Sequence, residues 1–236
     1  LNTPSPLNAV VSCSMLPELQ RGDLVVLQGG DIHAKEVYLP DVNDLTSRAT
    51  VYVNGNHVLE VNGSILFYCS QNPTSRLCDS LKSNPYLFEE HHGQVIFRYG
   101  ICRRKAIDSG YVYSTVCVKE VEVGNASVNF DNQSYKSYDI IVYRPKETDA
   151  FAMRGDIIHR VIVKIRTDDG VFYLTKGDNN DRFDIQMYSP IYGSNSLVSE
   201  SQLKGKVLLR IPYVGYIKLI LSGLVSSPQG CDSQFV

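Results

Sequence analysis

The sequence predicts a mainly β protein, and three observations carry that reading. Short runs of β-branched and aromatic residues, each bounded by turn residues, recur along the chain. Two junctions between such runs are Asn54-Gly55 and Asp169-Gly170, dipeptides suited to the positive φ of tight hairpins. Helical periodicity is confined to three brief candidates. With 236 residues, 43% of them hydrophobic, the chain can bury the core of one large domain or of a domain carrying a second lobe.

In chain order the predicted strands are Leu24–Leu27, Ala49–Val53, Ser64–Cys69, Gln94–Tyr99, Tyr111–Val118, Ile140–Tyr143, Ile157–Ile165, Val171–Thr175 and Lys206–Ile211. The Asp169-Gly170 turn should lay Val161–Arg166 beside Val171–Thr175. The helical candidates are a turn around Met15–Leu19, a segment near Leu77–Lys82, and Tyr216–Leu224. The apolar stretch Tyr213–Leu224 is too short to span a bilayer, which leaves touching the bilayer surface or packing inside, and packing inside is the expectation. Sharp motifs fall only in residues 1–30 and about 137–225. The sequence therefore predicts a discontinuous domain of 1–30 plus 137–236, interrupted by an inserted, mostly β domain of 31–136 whose role is not legible.

Composition excludes several classes. Lys and Arg number 23 against 25 Asp and Glu, so the net charge of −2 gives no general attraction to a polyanion, and no nucleic-acid partner is expected. No apolar run reaches the ~18–20 residues of a membrane span, so the chain as given reads as soluble and without a secretory signal. Cysteines stand at 13, 69, 78, 102, 117 and 231, with no CxxC pair and hence no zinc-ribbon spacing; no metal or cofactor is predicted. Pairing Cys69 with Cys78 and Cys102 with Cys117 would close local loops. With the sequons at Asn62, Asn125 and Asn132, this points to an oxidising, extracytoplasmic compartment. Buried free thiols and unused sequons are the plain alternative.

Three segments carry chemistry only when taken together. Ser12-Cys13-Ser14-Met15-Leu16-Pro17 places hydroxyls at a tight turn, where a serine ordinarily serves as a cap. His159 lies among alternating apolar residues on a predicted strand, where a lone imidazole is ordinarily structural. Lys176-Gly177-Asp178-Asn179-Asn180-Asp181-Arg182-Phe183-Asp184 is a turn with three acids, which alone could be a solvated loop or a weak cation site. A serine attacking a carbonyl must lose its proton. A neutral imidazole can take it, and a carboxylate on the other ring nitrogen fixes the tautomer. The predicted hairpin makes contact between His159 and an acid at 178 or 184 geometrically cheap.

These residues resemble the signal peptidase I family, in its archaeal and endoplasmic-reticulum branch. The resemblance rests on Ser12, Ser14-Met15 and Pro17; Arg21-Gly22-Asp23; Gly155-Asp156 and His159-Arg160-Val161; Thr175 through Asn180 with Asp184; and Ile211-Pro212-Tyr213-Val214-Gly215-Tyr216. It covers about half of the chain and implies a signal-peptidase-like β catalytic domain. By that resemblance Ser14 is the nucleophile and His159 the general base. Asp184 is the acid expected to orient His159, with Asp181 and Asp178 as rival carboxylates, and Asp178 braces the site. Ser12 assists the Ser14 backbone N–H in holding the oxyanion. Cys13 departs from the family's small residue, and a bonded or modified Cys13 could obstruct the site. Lys164, a rival as a serine–lysine base, lies five residues past the matched position and has no supporting motif.

The resemblance implies a serine endopeptidase removing signal peptides from exported preproteins. It implies attachment to the cell membrane through an anchor helix outside this chain, by one or two passes, with this domain on the extracytoplasmic side. Three rivals are a self-cleaving repressor-type peptidase, a non-enzymatic β-rich surface or adhesion protein, and a metal site on Asp178, Asp181 and Asp184.

Overall fold

Alternating burial along short strands sorts most of the chain into two large, mainly antiparallel sheets packed on a shared core. The computed structural model describes every residue except Leu1, Pro4, Asp44, Thr46, Ser47 and 224–229. In Leu24–Gln28 the buried side chains are Val25 and Leu27, alternate positions of a strand with one covered face. Ile157–Thr167 is different: it is buried almost end to end, as expected of a central strand covered on both faces. His159, Arg160 and Lys164 are therefore buried polar groups that need partners.

The first sheet runs Leu7–Ala9, Leu24–Gln28, Leu203–Ile211, Ile140–Tyr143, Ile157–Thr167, Gly170–Lys176, Val198–Ser199, with Lys35–Tyr38 pairing parallel to Ile157–Thr167. The second runs Asn56–Asn62, Arg48–Val53, Phe88–His92, Val95–Ala106, Val112–Val123, Ala126–Asn129, with Ser233–Phe235 added to Val95–Ala106. Each sheet thus receives one strand from the sequence block that builds the other. The largest buried cluster joins Ile162, Ile165 and Phe183 to Val51, Phe97 and Val121 across the two sheets.

Both hairpin signals produce hairpins. Val53 pairs with Asn56 around Asn54-Gly55, whose φ values of 51° and 76° are the positive ones a two-residue turn requires. Thr167 pairs with Gly170, which lays Ile157–Thr167 against Gly170–Lys176. Cys69 is bonded to Cys78 and Cys102 to Cys117.

Two expectations are corrected. Ser64–Cys69 is not a strand: Ile65–Gln71 is helical, with the Ser64 hydroxyl capping it by accepting from the Phe67 N–H. A short apolar run satisfies either period, and here the cap and the bond to the helix Arg76–Ser83 through Cys78 settle it. Of the apolar stretch Tyr213–Leu224, Leu224 lies outside the described residues, and 213–223 does not pack inside. In the helix Tyr216–Leu221 only Leu219 is buried, while Tyr213, Ile217, Ile220 and Leu221 are 64–83% exposed.

This segment is clasped at its start. Gly22 has φ +91°, and a Cβ there would lie 2.0 Å from the Tyr216 ring. Buried Asp23 accepts from the Gln20 N–H and pairs with Arg210 at 2.6 Å. Gly22→Ala should therefore cost about 1–3 kcal/mol in chemical denaturation. Adding Tyr216→Ala should recover only the steric part; an unchanged Gly22→Ala variant would show that the clasp is loose.

Candidate active site

Ser14 is presented by a turn held at both ends. Met15, next in sequence, is 1% exposed and packs with Val10, Leu19, Val25 and Leu27. The Asn179 N–H donates to the Ser14 carbonyl at 2.7 Å, and Asn179 Nδ2 donates to the Cys13 carbonyl at 3.1 Å. Gly177 permits this approach, because a Cβ there would meet the Ser14 carbonyl oxygen at 2.7 Å. Cys13 is bonded to Cys231, which fastens the C-terminal segment to the same turn. The bonded Cys13 does not obstruct Ser14: both line one cavity of about 410 Å³ together with Val10, Ser12, Ile158 and His159.

His159 is 3% exposed. Its Nδ1 lies 2.7 Å from Asp184 Oδ2 and its Nε2 lies 3.0 Å from Ser14 Oγ. An ionised carboxylate can only accept, so Nδ1 carries the hydrogen and donates to Asp184. The Nε2 lone pair then accepts from the Ser14 hydroxyl, the arrangement needed to draw off its proton. Ser12 Oγ stands 3.2 Å from Ser14 Oγ. The Ser14 backbone N–H donates to no protein group among the described residues.

The three acids of the turn go to three different partners. Asp184 takes His159. Asp178 accepts from Arg160 Nε and Nη2 at 2.9 and 2.7 Å. Asp181 is paired with its neighbour Arg182. Successive strand residues point to opposite faces, so 159 and 160 draw the two outer acids to opposite sides of the strand. Asp178 therefore does not touch His159; it braces the turn through Arg160, whose Nη1 donates to the Lys136 and Tyr138 carbonyls. No group of three or more metal-ligating side chains gathers among the described residues. Lys164 points away, to Asp31 at 2.5 Å and Glu36 at 3.4 Å.

Sequence reasoning missed the groups that sustain Asp184. Tyr143 and Thr175 both donate their hydroxyls to Oδ2, at 3.0 and 2.6 Å, and Asn195 Nδ2 donates to the Asp184 carbonyl at 2.8 Å. Burial, with the Asp184 charge beside it, raises the Tyr143 phenol well above its usual range, so it stays a donor. Tyr143 carried no signal beyond closing an apolar run. Thr175 had one, as the residue before the turn motif.

Beside this turn Lys176 is buried, its ammonium donating to the Gly177 carbonyl near the Phe130 and Phe235 rings. Burial brings it down to about 8. In the fold it is neutral above that pH, whereas in the unfolded chain it holds its proton up to about 10.4. The unfolded state then binds the extra proton, so stability from this group rises as pH climbs through that window. Between pH 8 and 10 the native chain should gain about 2 kcal/mol relative to Lys176→Met in chemical denaturation. Parallel pH curves for the two would contradict this.

No family model matches the chain, and no solved structure matches it. It is 27% identical to an uncharacterized protein of Methanocaldococcus jannaschii over 225 residues, 92% of this chain and 84% of that one. It is 34% identical over 84 residues to the signal peptidase complex catalytic subunit of Metarhizium acridum, and 35% identical over 94 residues to that of Clavispora lusitaniae. Those matches cover 36% and 40% of this chain and 44% and 52% of the relatives, so the chain spans about half the length of the signal peptidase subunits it matches. Over that part, the chain is similar to the catalytic subunits of signal peptidases.

Proposed function

We propose that this protein is a serine endopeptidase of the signal peptidase I type, in the Ser-His-Asp branch, cleaving signal peptides from exported preproteins at a membrane surface. The single observation that carries the reading is the hydrogen-bonded line from Ser14 through His159 to Asp184. In this account Ser14 Oγ attacks the scissile carbonyl carbon while its proton passes to His159 Nε2. Asp184 stabilises the imidazolium that forms. The oxyanion is held by the Ser14 N–H and the Ser12 hydroxyl, a donor of that kind being worth roughly 3–4 kcal/mol of barrier. Collapse expels the amine, which takes the proton from His159. Water then attacks the acyl-Ser14 ester with His159 again as base.

Substrate placement follows from the sheet. Leu7–Ala9 is a terminal strand of the first sheet and leads directly to the cavity through Val10 and Ser12. A peptide can add there as a further extended strand, main-chain pairing supplying affinity and the apolar walls at Val10, Ile158 and Met187 admitting small side chains. We assign residues 1–30 and 137–236 to the catalytic domain and 31–136 to an insertion. No helix among the described residues is long and apolar enough to cross a membrane. The exposed Tyr213, Ile217, Ile220 and Leu221 support contact with a bilayer surface, and the three disulfides support an extracytoplasmic location.

Cleavage of a preprotein by the purified chain tests the reading. Ser14→Ala should abolish it, and Asp184→Asn should lower kcat by about four orders of magnitude. Lys164→Ala should stay within about twofold, since its partners Asp31 and Glu36 are solvated without it. Cleavage by the Ser14 variant would overturn the assignment.

A further inference from the structure

The strand Phe88–His92 places an acid and an imidazole where apolar side chains are expected. Phe88, Glu90 and His92 alternate on its buried face, and Glu90 is 0% exposed. A carboxylate is kept in such a place only if donors replace its water. Four do. Oε2 accepts from the Ile65 N–H at 2.8 Å and the Tyr99 hydroxyl at 2.7 Å; Oε1 accepts from Gln186 Nε2 at 2.6 Å and meets His92 Nε2 at 2.8 Å. Burial alone would raise this carboxyl. The bonds and charge of His92, with Gln186 and Tyr99, outweigh it and hold the group below the usual carboxylate range.

Gln186 connects this hub to the reacting line. It is fully buried, its Oε1 accepts from the Phe183 N–H at 2.9 Å, and it closes the single turn Asp184–Gln186. Gly63 packs on the same turn, a Cβ there meeting Tyr188 at 2.5 Å and the Gln186 carbonyl oxygen at 3.1 Å. Asp184 is thus held from one side by Asn195 and from the other by a carboxylate of the second sheet.

We propose that Glu90 is a positioning residue for the Ser14–His159–Asp184 line: through Gln186 it fixes the turn that offers Asp184 to His159, making the second sheet part of the active centre. This rests on the peptidase reading. A neutral amide at position 90 presents one accepting oxygen to four donors, so the Gln186 bond is broken or turned round, and the Asp184 turn is freed.

The test uses the full chain, with kcat counted per site titrated by a serine-acylating probe. Glu90→Gln should lower kcat by about tenfold or more with KM within about twofold, as expected of a small misplacement of a reacting group. The low-field proton resonance of His159 Nδ1–H should weaken or vanish in the same variant. Exchanging the pair, Glu90→Gln with Gln186→Glu, restores a carboxylate–amide bond and should recover most of the kcat and the resonance. Should Glu90→Gln fail to fold, Gln186→Met, which leaves the other three donors in place, should show the same losses. Unchanged kcat per site and an unchanged resonance, or losses that the exchange does not rescue, would overturn the proposal. A wild type that neither cleaves nor labels would sink the peptidase reading instead, and the resonance would still decide the role of Glu90.

Discussion

A carboxylate sealed from water needs donors, and at Asp184 they all converge on one oxygen, while Oδ1 has no hydrogen-bond partner among the described residues. At 2% exposure its Oδ2 collects the Tyr143 and Thr175 hydroxyls and the His159 Nδ1–H. That single oxygen sets the imidazole tautomer, and the tautomer decides that Nε2 faces Ser14 with a lone pair instead of a hydrogen.

The holding is done by neighbours in sequence. Met15 beside Ser14, Val161 two residues past His159, and Phe183 beside Asp184 are each 0–1% exposed, and they anchor in three separate apolar clusters. Close-packed interiors move little, so each of the three groups inherits the position of its anchor. The Asn179 N–H to the Ser14 carbonyl and the Asn179 side-chain amide to the Cys13 carbonyl then fix the distance between two of the segments. The Cys13–Cys231 bond, spanning 218 residues, ties in the strand Ser233–Phe235, which in turn pairs with the second sheet. Disulfides of this kind typically stabilise by about 2–4 kcal/mol.

What could be read from the sequence was what short-range chemistry determines. Asn54-Gly55 and Asp169-Gly170 mark hairpins because Asn54, Gly55 and Gly170 take the positive φ that few other residues accept, and the second hairpin places His159 near the acids of the following turn. Which acid reaches it was left among three, since the alternation of faces at 159 and 160 acts only once the turn is folded. Ser64–Cys69 misled because a run of apolar residues that short fits a buried strand as well as a helix; the serine at its start was the usable clue. Tyr143 and Glu90 were invisible for another reason. Each owes its importance to a partner far away in sequence, as does Cys13 to Cys231. The exposed face of the helix Tyr216–Leu221 misled in the opposite sense, because apolar character alone does not say what will cover it.

The account depends on Ser14 being chemically activated by His159. The most direct measurement is peptide mass spectrometry of the intact chain after reaction with a serine-acylating probe. The account predicts one covalent adduct, on Ser14, that disappears in His159→Ala while the fold is retained. An adduct absent from the native chain, placed on another residue, or undiminished in His159→Ala would contradict it.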